Sequence, residues 1–332
     1  MGKNVLADRN NLSKKELSEL PPNPQPSAGR IWKKGWRRSV KIAAKRVVQH
    51  PIEALFLVGL YLILVVIPLD WATAFGGWIG RKLGAILPTT RRARHNLALA
   101  FPELSPAERD AYLMPMWDNL GRVIMELPHI GEIAQNRVTA HGTDFILQQS
   151  AGGKPMIFMI AHCANWEMTP AWLHGMGITI MGIYRPLNNQ IANRLLLWTR
   201  RKWKIPMAEK GANAARELVT RLKRGESVGV PIDQKLNTGI AVPFFGHDAM
   251  TTPLPAKLAC RFNVPMVLVL VERRHGANFH LHVCPPIWRD DFKGATEAET
   301  VAKLMTEVNR QLENWIRRAP SQWFWLHRRW PK

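Results

Sequence analysis

Short, almost wholly apolar runs alternate with helical segments through residues 85–332. Runs such as PMIFMIA (155–161) and VPMVLVLV (264–271) show no polar–apolar alternation, which is typical of strands buried on both faces of a sheet. Such strands need helices on both sides to cover them. The pattern therefore predicts an α/β fold, with a mostly parallel central sheet flanked by helices. The expected strands are 155–161, 178–184, 227–233, 264–271 and 279–283.

The helical segments are recognised by apolar periodicity and by their ends. Ser105 and Glu108 form the Ser-x-x-Glu pattern of a capping box, which predicts a helix start at that point. We expect helices over 88–100, 105–127, 165–174, 188–204, 211–224, 255–262 and 295–317.

The first 50 residues differ from the rest in composition. Residues 1–30 are polar, with four prolines between residues 21 and 26, which predicts a disordered, basic and proline-rich tail. In residues 31–50, apolar positions recur at helical spacing with Lys and Arg between them. This pattern favours an amphipathic helix on an anionic bilayer surface, and a solvated helix packed on the domain is the alternative.

A run without charge follows, from Ala54 to Leu69. A helix needs about 20 residues to span a bilayer, so this run is close to the required length. We interpret residues 51–70 as a membrane helix, with a buried core helix as the alternative. Basic residues flank both ends, so the positive-inside rule does not orient the segment. The remaining residues, 71–332, would then form the α/β domain.

The formal net charge is +21, from 46 Lys and Arg against 25 Asp and Glu. This charge predicts an acidic partner: nucleic acid, an anionic membrane, or an acidic substrate or carrier protein. The three cysteines are scattered, which argues against a disulfide framework and a structural zinc site and favours a reducing compartment. The first residues lack the pattern of a removable signal peptide.

His162 directly follows the apolar strand 155–161, and Glu167 follows five residues later. Because open α/β sheets place ligands at the carboxyl ends of their strands, His162 is the main candidate for a catalytic residue. With a turn after the strand and Asn165 as a helix N-cap, Glu167 falls in the first helical turn. The pair then predicts a general base, a histidine oriented by a carboxylate.

Other interpretations of this segment stay open. The spacing alone is common, and a structural histidine at a strand end would also explain it. Cys163 is a weaker candidate for a nucleophile, because adjacent residues of an extended chain point to opposite faces. A metal ion at His162 and Glu167 would lack further ligands nearby in the sequence.

Several other segments stand out beside the stretch from His162 to Glu167, which includes Asn165 and Trp166. They are RHNLALAFPE (94–103), Tyr184-Arg185-Pro186 with Asn188, Asp233-Gln234, PFFGHDAMTTP (243–253) and QWFWLHRR (322–329). Taken in order, these segments resemble the motifs of the late acyltransferases of lipid A biosynthesis, the lauroyl and myristoyl transferase family, whose His-x4-Asp/Glu motif the first stretch matches. The resemblance extends over residues 50–332.

The resemblance implies a glycerolipid-acyltransferase-like fold at the bacterial inner membrane, with the catalytic domain on the cytoplasmic side. It implies transfer of an acyl chain from acyl carrier protein to a hydroxyl of a Kdo-bearing lipid A precursor. The anionic membrane would be a further partner, and no metal or organic cofactor is implied. His162 would be the base and Glu167 its orienting partner. The expected substrate-binding residues are Arg185, Asp233, Asn165 and Tyr184.

Alternatives remain for both residues and function. Asp233 could orient a substrate group or Arg185, or close the turn after its strand. Arg185 could instead form a surface ion pair. The acceptor could be another glycolipid or a phospholipid, and the same base could activate water in an acyl-thioester hydrolase. Because charge alone suggests nucleic acid and no binding motif supports it, we expect no nucleic-acid partner. Backbone N–H groups near Asn165 are the expected oxyanion stabilisers.

Overall fold

The computed structural model describes residues 49–330, so the predicted tail at 1–30 and almost all of the predicted surface helix at 31–50 lie outside the described residues. A five-stranded sheet forms the centre of the fold. Its strands are β1 (Val138–His141), β2 (Ile157–Ile160), β5 (Val228–Pro231), β8 (Met266–His275) and β9 (Asn278–Val283). Their order across the sheet is β1-β9-β8-β2-β5.

Three of the four neighbouring strand pairs in this sheet are parallel, and only β8 and β9 run antiparallel. Ile157 and Met159 of β2 contribute to one core cluster, and Phe158 between them contributes to another. Because successive side chains of a strand point to opposite faces, the sheet is covered on both sides. The predicted mostly parallel, doubly covered sheet is confirmed.

Helices surround the sheet, and four short strands lie outside it. β3 (Gly182–Tyr184) and β4 (Met207–Glu209) form a small parallel sheet, and β6 (Ile240–Phe244) and β7 (His247–Thr251) form an antiparallel hairpin. Within residues 49–330 the α-helices are α1 (His50–Val66), α2 (Leu69–Gly84), α3 (Thr90–Ala100), α4 (Pro106–Ala111), α5 (Leu113–Glu126), α6 (Ile130–Asn136), α7 (Asp144–Ala151), α8 (Met168–Gly175), α9 (Gln190–Lys202), α10 (Ala212–Lys223), α11 (Leu254–Phe262) and α12 (Glu297–Arg318).

Some helices and strands differ from the predicted ones, and each difference has a local cause. The helix predicted over 105–127 divides into α4 and α5, because Pro115 has no backbone N–H to continue the hydrogen-bond ladder from the preceding turn. The capping box of Ser105 and Glu108 is present at the start of α4. Strand β1 was missed because it lies at the sheet edge and half of its residues are exposed, so it has no apolar run.

The predicted membrane helix at 51–70 is not supported as one continuous segment. Helix α1 ends at Val66, and α2 starts at Leu69. Pro68 between them has extended geometry (φ −52°, ψ 134°), and a proline also disfavours helical geometry at the residue before it. None of the helices within residues 49–330 has both the length and the apolar character needed to cross a membrane. The predicted boundary between residues 70 and 71 therefore falls inside α2.

Helix α2 packs closely on α5 through glycines. A Cβ added at Gly80 would lie 2.0 Å from the carbonyl oxygen of Trp117, and one added at Gly121 would lie 2.0 Å from that of Gly76. At each of these positions the added Cβ would overlap a backbone carbonyl oxygen, which cannot move aside as the end of a flexible side chain can. Small residues are therefore required on both helices at this crossing, which fixes α2 against the domain.

Candidate active site

The site lies where β2 and β5 end side by side. Ile160 of β2 pairs with Pro231 of the parallel strand β5. Two residues further on, the same register brings His162 next to Asp233. Nδ1 of His162 lies 2.8 Å from Oδ1 of Asp233, and the backbone N–H of His162 donates to Oδ2 over 2.7 Å. The indole N–H of Trp323 also donates to Oδ2, over 2.9 Å.

Charge and burial act against each other in this pair. Burial favours the neutral imidazole, but the Asp233 carboxylate outweighs it, so the pKa of His162 is raised above 6.5. Burial would likewise raise the pKa of Asp233, yet the charge and hydrogen bonds of His162 hold that pKa below its ordinary value. Asp233 is therefore an ionised acceptor for Nδ1–H, which leaves Nε2 of His162 able to accept a proton.

Two further aromatic rings and an amide surround the imidazole. The ring centroids of Trp166 and His327 each lie 5.0 Å from that of His162. Burial and the nearby His162 lower the pKa of His327 to about 4, so His327 is neutral at pH 7. Nε2 of Gln234 lies 3.3 Å from Nε2 of His162. The amide of Gln234 is thus a hydrogen-bond donor beside the basic nitrogen.

Glu167 does not form the predicted hydrogen-bonded pair with His162 in the structure. The carboxylate of Glu167 accepts two hydrogen bonds from the guanidinium of Arg200 on α9, one of them from Nε at 3.2 Å. Glu167 occupies the residue before α8 but makes no capping hydrogen bond with its side chain, which is bonded to α9 instead. The sheet register instead places the carboxylate of Asp233 against His162. Asp233 had been expected to contact substrate, to contact Arg185 or to close a turn.

Asn165 was expected to bind substrate and to cap a helix starting there, but α8 starts at Met168, with Glu167 at its N-cap position. Its side chain is fully buried, with Nδ2 donating to Oε2 of Glu126 over 2.8 Å. Its Oδ1 accepts the N–H of Glu167, and its carbonyl oxygen accepts the N–H of Met168. Asn165 thus fixes the loop between β2 and α8. The backbone N–H groups of Glu167 and Met168 are therefore already hydrogen-bonded to Asn165, and they are not free to stabilise an oxyanion.

A cavity of about 580 Å³ opens beside His162, within the roughly 300–1,000 Å³ of small-molecule sites. Tyr184 and Arg185, which the sequence predicted as substrate-binding residues, lie at and after the end of β3 and line the cavity. Most of the wall is apolar. The polar and charged side chains that line it are His162, Glu167, Tyr184, Arg185, Arg200, Lys210, Gln234 and Thr252.

Several residues of the site were not expected from the sequence. Arg200 carries no motif, since it lies in an ordinary amphipathic helix, whereas Gln234, Trp323 and His327 belong to segments that had already stood out. Cys163, the weaker candidate nucleophile, is buried, and burial raises the pKa of its thiol well above 9.0. A thiol in that state is a poor nucleophile.

Comparison with known proteins agrees with the ordered motifs. The sequence pattern of the bacterial lipid A biosynthesis acyltransferases matches residues 42–332. The lipid A biosynthesis lauroyltransferase of Escherichia coli strain K12 is 26% identical over 84% of this chain and 92% of its own length. The palmitoleoyltransferase of the same organism is 26% identical over 76% of this chain and 83% of its own, and the myristoyltransferase is 23% identical over 76% of both. The chain belongs to the bacterial lipid A biosynthesis acyltransferase family.

Proposed function

We propose that this acyltransferase moves a fatty acyl chain from the thioester of acyl carrier protein to a hydroxyl of a Kdo-bearing lipid A precursor. The observation that carries the proposal is the His162–Asp233 pair, 2.8 Å apart, at the wall of a largely apolar cavity. The pair supplies a base, and the apolar wall suits an acyl chain. The family membership supports lipid A as the product.

In the proposed reaction, Nε2 of His162 removes the proton of the acceptor hydroxyl as its oxygen attacks the thioester carbonyl. The new C–O bond forms, the C–S bond then breaks, and the imidazolium returns its proton to the leaving thiolate. Asp233 stabilises the imidazolium through Nδ1–H. Gln234, 3.3 Å from the base, is positioned to donate to the oxyanion, the role first expected of backbone N–H groups. These steps require no cofactor.

Basic side chains around the cavity suit the phosphates and acidic sugars of the acceptor. Arg185 and Lys210 line the cavity and are exposed, while Arg200 is held in place by Glu167. Guanidinium groups bind phosphate with paired hydrogen bonds. The outer side of α9 adds exposed Arg194 and Arg201, and we assign this basic surface to the acidic carrier protein.

An apolar surface on α1 and α2 supports membrane association. Phe56 is 68% exposed, Trp71 73% and Phe75 52%, which is costly in water. Arg81 and Lys82 lie at the end of α2. Exposed aromatic residues beside basic ones are typical of a surface seated in an anionic leaflet. We therefore place the enzyme on the cytoplasmic face of the bacterial inner membrane.

The test is mass spectrometry of lipid A from a host that lacks its own secondary acyltransferases. Expression of this chain is expected to add the mass of one acyl group, and His162→Ala is expected to abolish the gain. A gain that survives His162→Ala would remove this residue from the mechanism. No gain in lipid A, with His162-dependent release of free fatty acid from acyl carrier protein, would instead establish the hydrolase.

A further inference from the structure

A second cluster of reactive side chains lies on the central sheet, apart from the cavity. His280 and His282 stand two residues apart on β9, and Glu272 of β8 is the register partner of His280. Because side chains two residues apart on a strand point to the same face, both imidazoles and the carboxylate share one face. None of these three residues lines the cavity described above.

The three side chains converge closely. One nitrogen or oxygen atom from each lies within 4.8 Å of the other two, and Nε2 of His282 is 3.0 Å from Oε2 of Glu272. His141 of β1, the register partner of His282, lies beside them. Its ring centroid is 5.5 Å from that of His280 and 6.1 Å from that of His282. Side chains from three adjacent strands thus meet at one point.

Neighbouring side chains restrict the orientation of these groups. Arg274 donates to Oε1 of Glu272 over 2.7 Å, so Oε2 faces the histidines. The ring of Trp315 lies 4.5 Å from that of His282 and restricts its rotation. Supporting contacts of this kind are typical of metal sites.

We propose that Glu272, His280 and His282 form a binding site for Zn²⁺, with His141 or water as the fourth ligand. Two imidazoles and one carboxylate are a donor set that suits Zn²⁺. Zn–ligand bonds of about 2.0–2.2 Å require the three groups to draw together slightly by side-chain rotation. A bound ion would join β9 to β8, and to β1 as well with His141 as the fourth ligand, and would stabilise this edge of the sheet.

The experiment is calorimetric titration of ZnCl₂ into the full chain, purified without a polyhistidine tag. We expect one Zn²⁺ per chain, and a rise in the melting temperature on adding Zn²⁺. His280→Ala combined with His282→Ala is expected to weaken binding by at least about 100-fold, more than typical changes to supporting residues. His247→Ala, at an exposed histidine of β7, is the matched control and is expected to leave binding unchanged.

His282→Gln is the milder variant, because it retains a group able to hydrogen-bond Glu272. Circular dichroism without metal establishes that each variant folds. Substitution with Co²⁺ adds a visible absorption band that reports the ligands directly and does not depend on acyl transfer. Absence of Zn²⁺ binding by the wild-type chain, or the same affinity in the folded double variant, would overturn the proposal.

Discussion

Replacing Asp233 by Asn removes one charge from the centre of the site while keeping its shape. The carboxylate is fully buried and accepts hydrogen bonds from the His162 imidazole, the His162 backbone and Trp323. Without the charge, the imidazolium formed during transfer is no longer stabilised. General-base catalysis contributes on the order of 10²–10⁴-fold, so we expect kcat to fall by that factor, equivalent to about 2.7–5.4 kcal/mol.

The pH profile separates this effect from a loss of folding. The base must be neutral to act, so the rate rises with pH through the pKa of His162. In the wild type the Asp233 charge raises that pKa above 6.5 against the opposing effect of burial. In Asp233→Asn burial of His162 acts with little opposition, so the acid limb of kcat/KM is expected to move to lower pH than in the wild type. The assay is single-turnover acyl transfer from labelled acyl carrier protein between pH 5 and pH 9.

Glu167→Gln is the matched control for this variant. Its carboxylate pairs with Arg200 rather than with His162, and its charge raises the pKa of His162 less than Asp233 does. The acid limb is therefore expected to move less in Glu167→Gln than in Asp233→Asn. An unshifted limb in Asp233→Asn, or the larger shift in Glu167→Gln, would refute the assignment of Asp233 as the orienting residue.

Three other substitutions probe the supporting structure. Gly80→Ala places a Cβ against the Trp117 backbone and is expected to lower the free energy of unfolding by about 1–3 kcal/mol. Gly59→Ala has open space around it and is expected to raise the free energy of unfolding by up to about 1 kcal/mol. Urea denaturation measures both changes. Asn165→Ala is expected to lower the free energy of unfolding by about 1–3 kcal/mol and to leave KM unchanged. A raised KM at unchanged stability would instead identify Asn165 as a substrate contact. Trp71→Glu combined with Phe75→Glu is expected to abolish sedimentation with anionic vesicles.

The vesicle experiment has an internal control. Leu147 on α7 is also exposed, at 49%, but lies outside α1 and α2. Leu147→Glu introduces the same kind of charge and is expected to leave vesicle binding unchanged. Equal loss in both variants would mean that net charge, rather than the apolar surface of α1 and α2, controls binding.

Local patterns in the sequence accounted for much of the site. His162 was identified because it follows a buried strand, and Tyr184 and Arg185 because they match an ordered motif. The same approach failed for Glu167, since nearness along the chain suggested a pair that the fold separates. It also did not identify His280 and His282 as candidate metal ligands, because metal spacing was sought among the cysteines and around His162, while two residues on a strand share a face without any special motif.

The sequence by itself determined the strand-and-helix alternation, the covered parallel sheet, the position of His162 and membership of the acyltransferase family. These depend on hydrophobic periodicity and on short ordered motifs, which are local properties of the chain. The tertiary structure alone decided that Asp233 orients His162, that Arg200 holds Glu167, and that α1 and α2 are separate helices. Asp233 and His162 are 71 positions apart, and only the pairing register of β2 with β5 brings them together.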